Sequence, residues 1–233
     1  MTMIGDDLQH VRQRIAKACA DAGRGPGAVR LLAVSKTFGP EAVREAHAAG
    51  QAAFGENYVQ EGLDKIAALA DLRADLEWHC IGPLQSNKTR PVAEQFDWVH
   101  SVDRLKIAER LSAQRPAHLP PLQVCLQVNV DGGANKSGVT PEEALPLARA
   151  VAALPQLVLR GLMAIPEPAP DFEAQRALFL RATALFDQIR DAGIALDTLS
   201  LGMSADLEAA VSAGSTMVRI GTAIFGGRPQ KAA

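Results

Sequence analysis

Cysteine is scarce in this 233-residue chain, and Cys19, Cys80 and Cys125 are scattered and odd in number. That pattern suggests neither a disulfide framework nor a zinc site, and a reducing cytoplasm is the simplest expectation. A surplus of either charge is missing too: 24 basic residues against 26 acidic ones leave a formal net charge of −2. General electrostatic attraction to nucleic acid or to an anionic membrane is thereby excluded, so any bound anion must be held by a local site. No apolar run approaches the roughly 18 residues of a membrane helix. The opening MTMIGDDLQHVRQRIAKA carries charge throughout and has no apolar signal-peptide core. Linkers, low-complexity stretches and sequence repeats are absent, which predicts one domain over residues 1–233, with only the closing GGRPQKAA frayed. A monomer is expected.

What is present is a chain 48% hydrophobic and 21% charged, long enough to bury a full core. Two kinds of segment alternate along it. Strand-like runs fall at 30–35, 52–55, 77–81, 98–102, 122–130, 158–165, 198–201 and 216–220. Helical patterns lie between them at 40–49, 59–70, 88–94, 104–112, 141–153, 172–192 and 206–213. Before the first strand, Leu8, Val11, Ile15, Ala18 and Cys19 share one face of an amphipathic helix over 5–22. Pro40 and Pro141 suit first helical positions, and Thr140 with Glu143 makes a capping box. Strict alternation predicts an α/β fold, a single (β/α)8 TIM-type barrel with an additional N-terminal helix. A doubly wound open sheet is the alternative, and eight units fit a closed barrel better.

In such a barrel the residue after each strand faces the rim where sites are built. Those positions carry Lys36, Glu56 and Asn57, Gly82 with His79 slightly earlier, Ser101, Asn129, Met163, Ser200 with Ser204, and Arg219 with Gly221 and Thr222. The first of them poses the chemical question. RLLAVSKTFG runs an apolar strand straight into Lys36. An arbitrary strand-end lysine snorkels to solvent. One held in a partly desolvated site sheds its proton more easily, and the neutral amine attacks carbonyls. Either a Schiff-base aldolase or a protein holding pyridoxal phosphate (PLP) uses such a group. The second needs a phosphate site, and VRIGTAIFGGR supplies a candidate at the end of the eighth strand, where barrels commonly bind phosphate. Ser204, in SLGMSAD, offers either a hydroxyl to that site or a helix N-cap.

The stretches LLAVSKTFGPEAVREAHAAG, FGENYVQE, WHCIGPLQSNK, SVDRLKIAERL, NKSGVTPEE, GLMAIP and LSLGMSADLEAAVSAGSTMVRIGTAIFGGR resemble, in order, the YggS/PROSC family of pyridoxal phosphate homeostasis proteins. These are relatives of the N-terminal barrel of alanine racemase. The resemblance implies pyridoxal 5'-phosphate as the cofactor, carried as an aldimine on Lys36. It implies that Ser200, Met203, Ser204, Arg219, Gly221 and Thr222 surround phosphate and ring, with Asn57 close by. Lys136, in NKSG, matches a second family lysine, and Lys231 loosely matches C-terminal ones. Many relatives carry lysine where this chain has Phe38. The implied role is intracellular PLP homeostasis, with PLP and other B6 vitamers as ligands and PLP-dependent apo-enzymes as recipients. No nucleic acid or membrane partner is implied.

A PLP-dependent amino-acid racemase is the competing function. Arg219 facing the pyridine nitrogen would leave that nitrogen unprotonated and the electron sink weak. Racemisation tolerates such a weak sink but wants a base on each face of the α-carbon, of which Lys36 is one. Tyr58 is the sole tyrosine, and its place at a helix opening suggests packing. His79 reads as a satisfied core or rim histidine. His10, His47, His100 and His118 have no ligand spacing. DGGANKSG lacks the full phosphate-loop pattern of nucleotide-binding proteins, and no serine–histidine–aspartate order is defensible.

Overall fold

The computed structural model describes residues 3–133 and 137–227. Eight parallel strands close into a barrel in chain order. They are β1 (Arg30–Val34), β2 (Ala53–Glu56), β3 (Glu77–Cys80), β4 (Trp98–Val102), β5 (Leu122–Gln127), β6 (Leu157–Met163), β7 (Thr198–Ser200) and β8 (Met217–Ile220). β8 returns to β1 with Arg219 opposite Leu32, so the open sheet does not form. The barrel is ringed by α1 (Met3–Asp21), α2 (Pro40–Ala48), α3 (Val59–Ala68), α4 (Thr89–Gln95), α5 (Leu105–Gln114), α6 (Pro141–Ala152), α7 (Phe172–Asp191) and α8 (Leu207–Ser212). No helix among the described residues is long and apolar enough to cross a membrane.

Local signals account for the helix starts. Pro40 and Pro141 begin α2 and α6, and the Thr140–Glu143 capping box forms as its spacing predicts. Asp171 caps α7 by accepting the Ala174 N–H at 2.8 Å. The apolar stripe of α1 is buried against the barrel's outer layer, where α1 packs on α2 and α8. Two strands stop before their apolar runs do, at Gln127 and Met163. Beyond Gln127 the chain leaves the sheet, and Val128 instead bridges Val139 across the loop. A short helix α9 (Thr222–Phe225) follows β8 and has no counterpart in the sequence periodicity, because four residues are too few to show one.

Inside the barrel, layers of branched aliphatic side chains are the rule. Here Leu32, Val34, Ala53, Ile81 and Met217 form one small apolar cluster and Trp98, Cys125 and Met163 another. Alongside them His79, His100, Ser200 and Arg219 are all buried.

Candidate functional site

Lys36 stands two residues beyond the end of β1 at Val34, and its two neighbours, Ser35 and Thr37, are held by a buried charge network. The Ser35 hydroxyl donates to Glu56 Oε1 at 2.5 Å, and Lys65 Nζ donates to the Ser35 carbonyl at 2.7 Å. Lys65, on α3, also meets Glu56 Oε1 and Glu61 Oε1, each at 2.7 Å. Glu61 in turn accepts the Thr37 N–H. Thr37 sits at φ 70°, a left-handed conformation uncommon outside glycine. The turn presenting Lys36 is therefore clamped on both sides and carries backbone strain that the clamp sustains. Glu56 is fully buried, not the rim carboxylate its position suggests. Burial raises its pKa, opposed by the adjacent Lys65 charge.

At the C-terminal ends of the strands lies a cavity of about 480 Å³, within the range of small-molecule sites. It is lined by Lys36, Asn57, Met203, Ser204, Arg219, Gly221 and Thr222, together with Phe38, Ile81 and Ile165. Ser200 lies just beneath, fully buried, where its hydroxyl and carbonyl accept from Arg219 Nη1 at 2.7 and 2.6 Å. Lys136 and Lys231 lie outside the described residues. A second cavity, of about 760 Å³, shares Asn57, Ile81, Ile165 and Met203 and extends toward Ser137 and Gln175. Phe38 packs on Phe225 of α9 with ring centroids 5.4 Å apart, so the position that carries lysine in many relatives is here an apolar wall.

Two polar groups of the cavity have hydrogen-bonding capacity left for a ligand. The Asn57 side-chain oxygen is buried with no partner among the described residues. Arg219 gives Nη1 to Ser200 and Nη2 to the Ala164 carbonyl, and its Nε–H has no acceptor among the described residues. Its acceptors are carbonyls and a hydroxyl, not a rim carboxylate. Burial lowers its pKa to about 10, partly offset by the charge of Asp206, so it stays protonated near neutrality.

Several expectations change in detail. Ser204 is not the N-cap of α8. Asp206 takes that position and accepts the Met203 N–H at 2.6 Å, which leaves the Ser204 hydroxyl available to the cavity. Gly221 lines the cavity and is confined by the fold as well, since a Cβ there would stand 3.0 Å from the Val34 carbonyl oxygen where β8 turns against β1. Gly82 is more tightly constrained, with 2.0 Å from a Cβ to the Asn57 carbonyl oxygen. Tyr58 does not pack: it is 61% exposed and is not part of the cavity wall. His79 is the core histidine its setting suggests, bonded to Glu77 and to His100.

Lys65, Glu61 and Arg14 escape sequence reasoning. Glu61 and Lys65 are four apart on α3, which reads as an ordinary surface pair. Only the packing of α3 on β2 buries Lys65 to 3% exposure. Arg14 reaches from α1 to the Ser204 carbonyl at 2.8 Å and pairs with Glu208 at 2.5 Å, tying the first helix to the cavity loop.

A parallel barrel whose first strand delivers a lysine to a cavity walled by a buried arginine defines a class, and the matching family model is "Alanine racemase, N-terminal domain", over residues 7–229. The chain is 62% identical over 228 residues to the pyridoxal phosphate homeostasis protein of Pseudomonas aeruginosa, covering 98% of this chain and 97% of that protein. It is 55% identical over 230 residues to the protein of the same description from Vibrio cholerae, covering 98% of each. A solved structure of PipY from Synechococcus elongatus with PLP bound superposes with a TM-score of 0.83 at 38% identity, covering 96% of this chain and all of that one. The chain belongs to the family of pyridoxal phosphate homeostasis proteins.

Proposed function

We propose that this chain binds pyridoxal 5'-phosphate in the β-strand C-terminal cavity through Lys36 and serves PLP homeostasis as a holder and donor of the cofactor, without robust catalysis. The observation that carries the reading is the clamped turn: Lys36 enters a cavity it shares with Arg219, and both its neighbours are fixed by the Glu56–Lys65–Glu61 network. Cavity size, the unpartnered Asn57 oxygen and the Arg219 Nε–H suit a small aromatic anion with polar substituents. PLP held here would supply an aldehyde, and Lys36 is the cavity amine that would hold it. Ser204 offers a hydroxyl and the start of α9 offers the Thr222 and Ala223 N–H groups, those of Ile224 and Phe225 being taken by the Gly221 carbonyl, and together these suit the phosphate. Arg219, a donor only, suits the pyridine nitrogen as an acceptor and leaves it unprotonated.

The bias away from turnover comes from the want of a second base. Racemisation tolerates the weak electron sink that Arg219 leaves, but it needs a base on each face of the α-carbon, and the sole tyrosine stands exposed outside the cavity wall. A cavity open at the barrel mouth lets a second amine displace Lys36. We place PLP-dependent apo-enzymes in the role of recipients, other B6 vitamers among the ligands, and a monomer as the working form.

The test is the visible absorption spectrum of freshly purified protein beside a Lys36→Ala variant. A yellow band, bleached by borohydride and missing in the variant, is expected. A protein that remains colourless after PLP is added would remove the reading. A panel of D- and L-amino acids then separates the functions, since stoichiometric release of PLP fits a carrier and sustained turnover fits a racemase. Donation to an apo-enzyme no faster than free diffusion would eliminate the handover.

A further inference from the structure

A continuous line of polar side chains runs through the barrel interior, where aliphatic layers would ordinarily sit. Its foot is Glu77, the first residue of β3, which opens onto a charged cleft shared with Arg30 and Arg160 at the N-terminal ends of the strands. Glu77 Oε1 lies 2.5 Å from His79 Nε2, and His79 Nδ1 lies 2.8 Å from His100 Nε2. His100 Nδ1 is 3.1 Å from Ser200 Oγ, which lies 2.7 Å from Arg219 Nη1 at the cavity. The two imidazoles and Ser200 are fully buried.

The proton positions follow from the ends of the line. A guanidinium only donates and a carboxylate only accepts. Arg219 therefore donates to Ser200 Oγ, whose own hydrogen is free to go to His100 Nδ1. His100 then carries its proton on Nε2 and donates to His79 Nδ1, and His79 donates from Nε2 to Glu77. Every bond points the same way, from the cavity to the foot of the barrel. Burial lowers the pKa of both histidines, which keeps the rings neutral near pH 7, as this one-way arrangement requires. Stacking of His79 on Trp98, with centroids 5.1 Å apart, holds the first ring in plane. Arg30 pairs with Glu77 at 2.9 Å and keeps the terminal acceptor ionised.

We propose that Glu77, His79, His100 and Ser200 are positioning residues for Arg219, a one-way hydrogen-bond column through which the foot of the barrel orients the guanidinium that faces the cofactor. This inference rests on the reading that the cavity takes PLP. None of the first three residues lines the cavity, so their influence passes through Ser200.

Nitrogen-15 NMR of histidine-labelled protein without PLP tests the column by itself. Both buried rings are expected as neutral Nε2–H tautomers at pH 7, and an Nδ1–H tautomer or a charged ring at either position would overturn the column. Glu77→Leu removes the terminal acceptor and Glu77→Gln keeps a carbonyl oxygen in its place. Glu77→Leu is expected to shift the resonances of His100, which does not touch residue 77, and Glu77→Gln to restore them. With PLP added, Glu77→Leu is expected to move the visible band and weaken uptake by about tenfold, the equivalent of one misplaced charged hydrogen bond, and Glu77→Gln to stay within about twofold of the parent. An unmoved His100 resonance, or an unmoved band in a Glu77→Leu protein that stays folded by circular dichroism, would refute the coupling. Should Glu77→Leu fail to fold, Ser200→Ala carries the same test from the other end, with the same expected band shift. A parent protein that takes up no PLP would refute the cofactor reading, and the NMR result would still decide the column.

Discussion

Lys36 is the residue on which the chemistry turns, yet its geometry is set by residues that never enter the cavity wall. Lys65 donates to the Ser35 carbonyl, to Glu56 and to Glu61, and so fixes the turn on both sides of Lys36. Breaking a buried ion pair by removing one partner leaves an uncompensated charge, at a cost of about 3–5 kcal/mol. Lys65→Met is therefore expected to lower the unfolding free energy by about that amount in urea titrations and to weaken PLP uptake. Adding Glu56→Gln removes the stranded carboxylate and should recover part of the stability, though not the Lys36 geometry. A Lys65→Met protein as stable as the parent would contradict the clamp. At this scale the sequence is legible for Lys36, Arg219 and Ser204, because Lys36 and Ser204 follow apolar strands and Arg219 interrupts one next to its last residue. It is silent on Lys65, whose helical spacing from Glu61 resembles that of any solvent-exposed pair.

Among the elements, α1 does more than cover an apolar flank of the barrel. Its Arg14 holds the Ser204 carbonyl and pairs with Glu208, linking a helix that precedes the barrel to the loop after β7. A partly exposed pair of this kind contributes about 1 kcal/mol or less to stability. Arg14→Leu should thus leave the melting temperature nearly unchanged while loosening the Ser204 loop, with PLP binding weaker by about fivefold, the equivalent of about 1 kcal/mol. Fluorescence titration with PLP reads the effect, and unchanged binding would count against the link. The alternation of strands and helices was readable because each long element keeps its own period. The exit of the chain after Gln127 was not, since the apolar run continues through Val128 and Val130 into the loop.

Over the whole molecule, the buried polar column makes stability depend on pH. His79 and His100 have folded-state pKa values below the ordinary histidine value because burial disfavours their charged forms. The unfolded chain therefore binds more protons as the pH drops below about 6.5. Stability from these two rings is fully present above that pH and is lost as the solution is acidified, by up to about 1.4 kcal/mol per pH unit for each ring. Urea midpoints measured from pH 7.5 down to pH 5.5 should fall steadily below about pH 6.5. A flat profile would mean that at least one ring is already charged in the folded protein.

The order of the elements, the closed eight-unit architecture and the rim positions of Lys36, Asn57, Ser204 and Arg219 were determined by the sequence alone, because apolar periodicity and strand ends are local properties of the chain. Tertiary structure alone decided which charges are buried and what they touch. The Lys65–Glu56 pair spans 9 residues, and the His100–Ser200 contact spans 100. The first arises as α3 folds back on β2, and the second arises from barrel closure, which brings β3, β4, β7 and β8 around one interior and turns scattered histidines, a serine and an arginine into a single line.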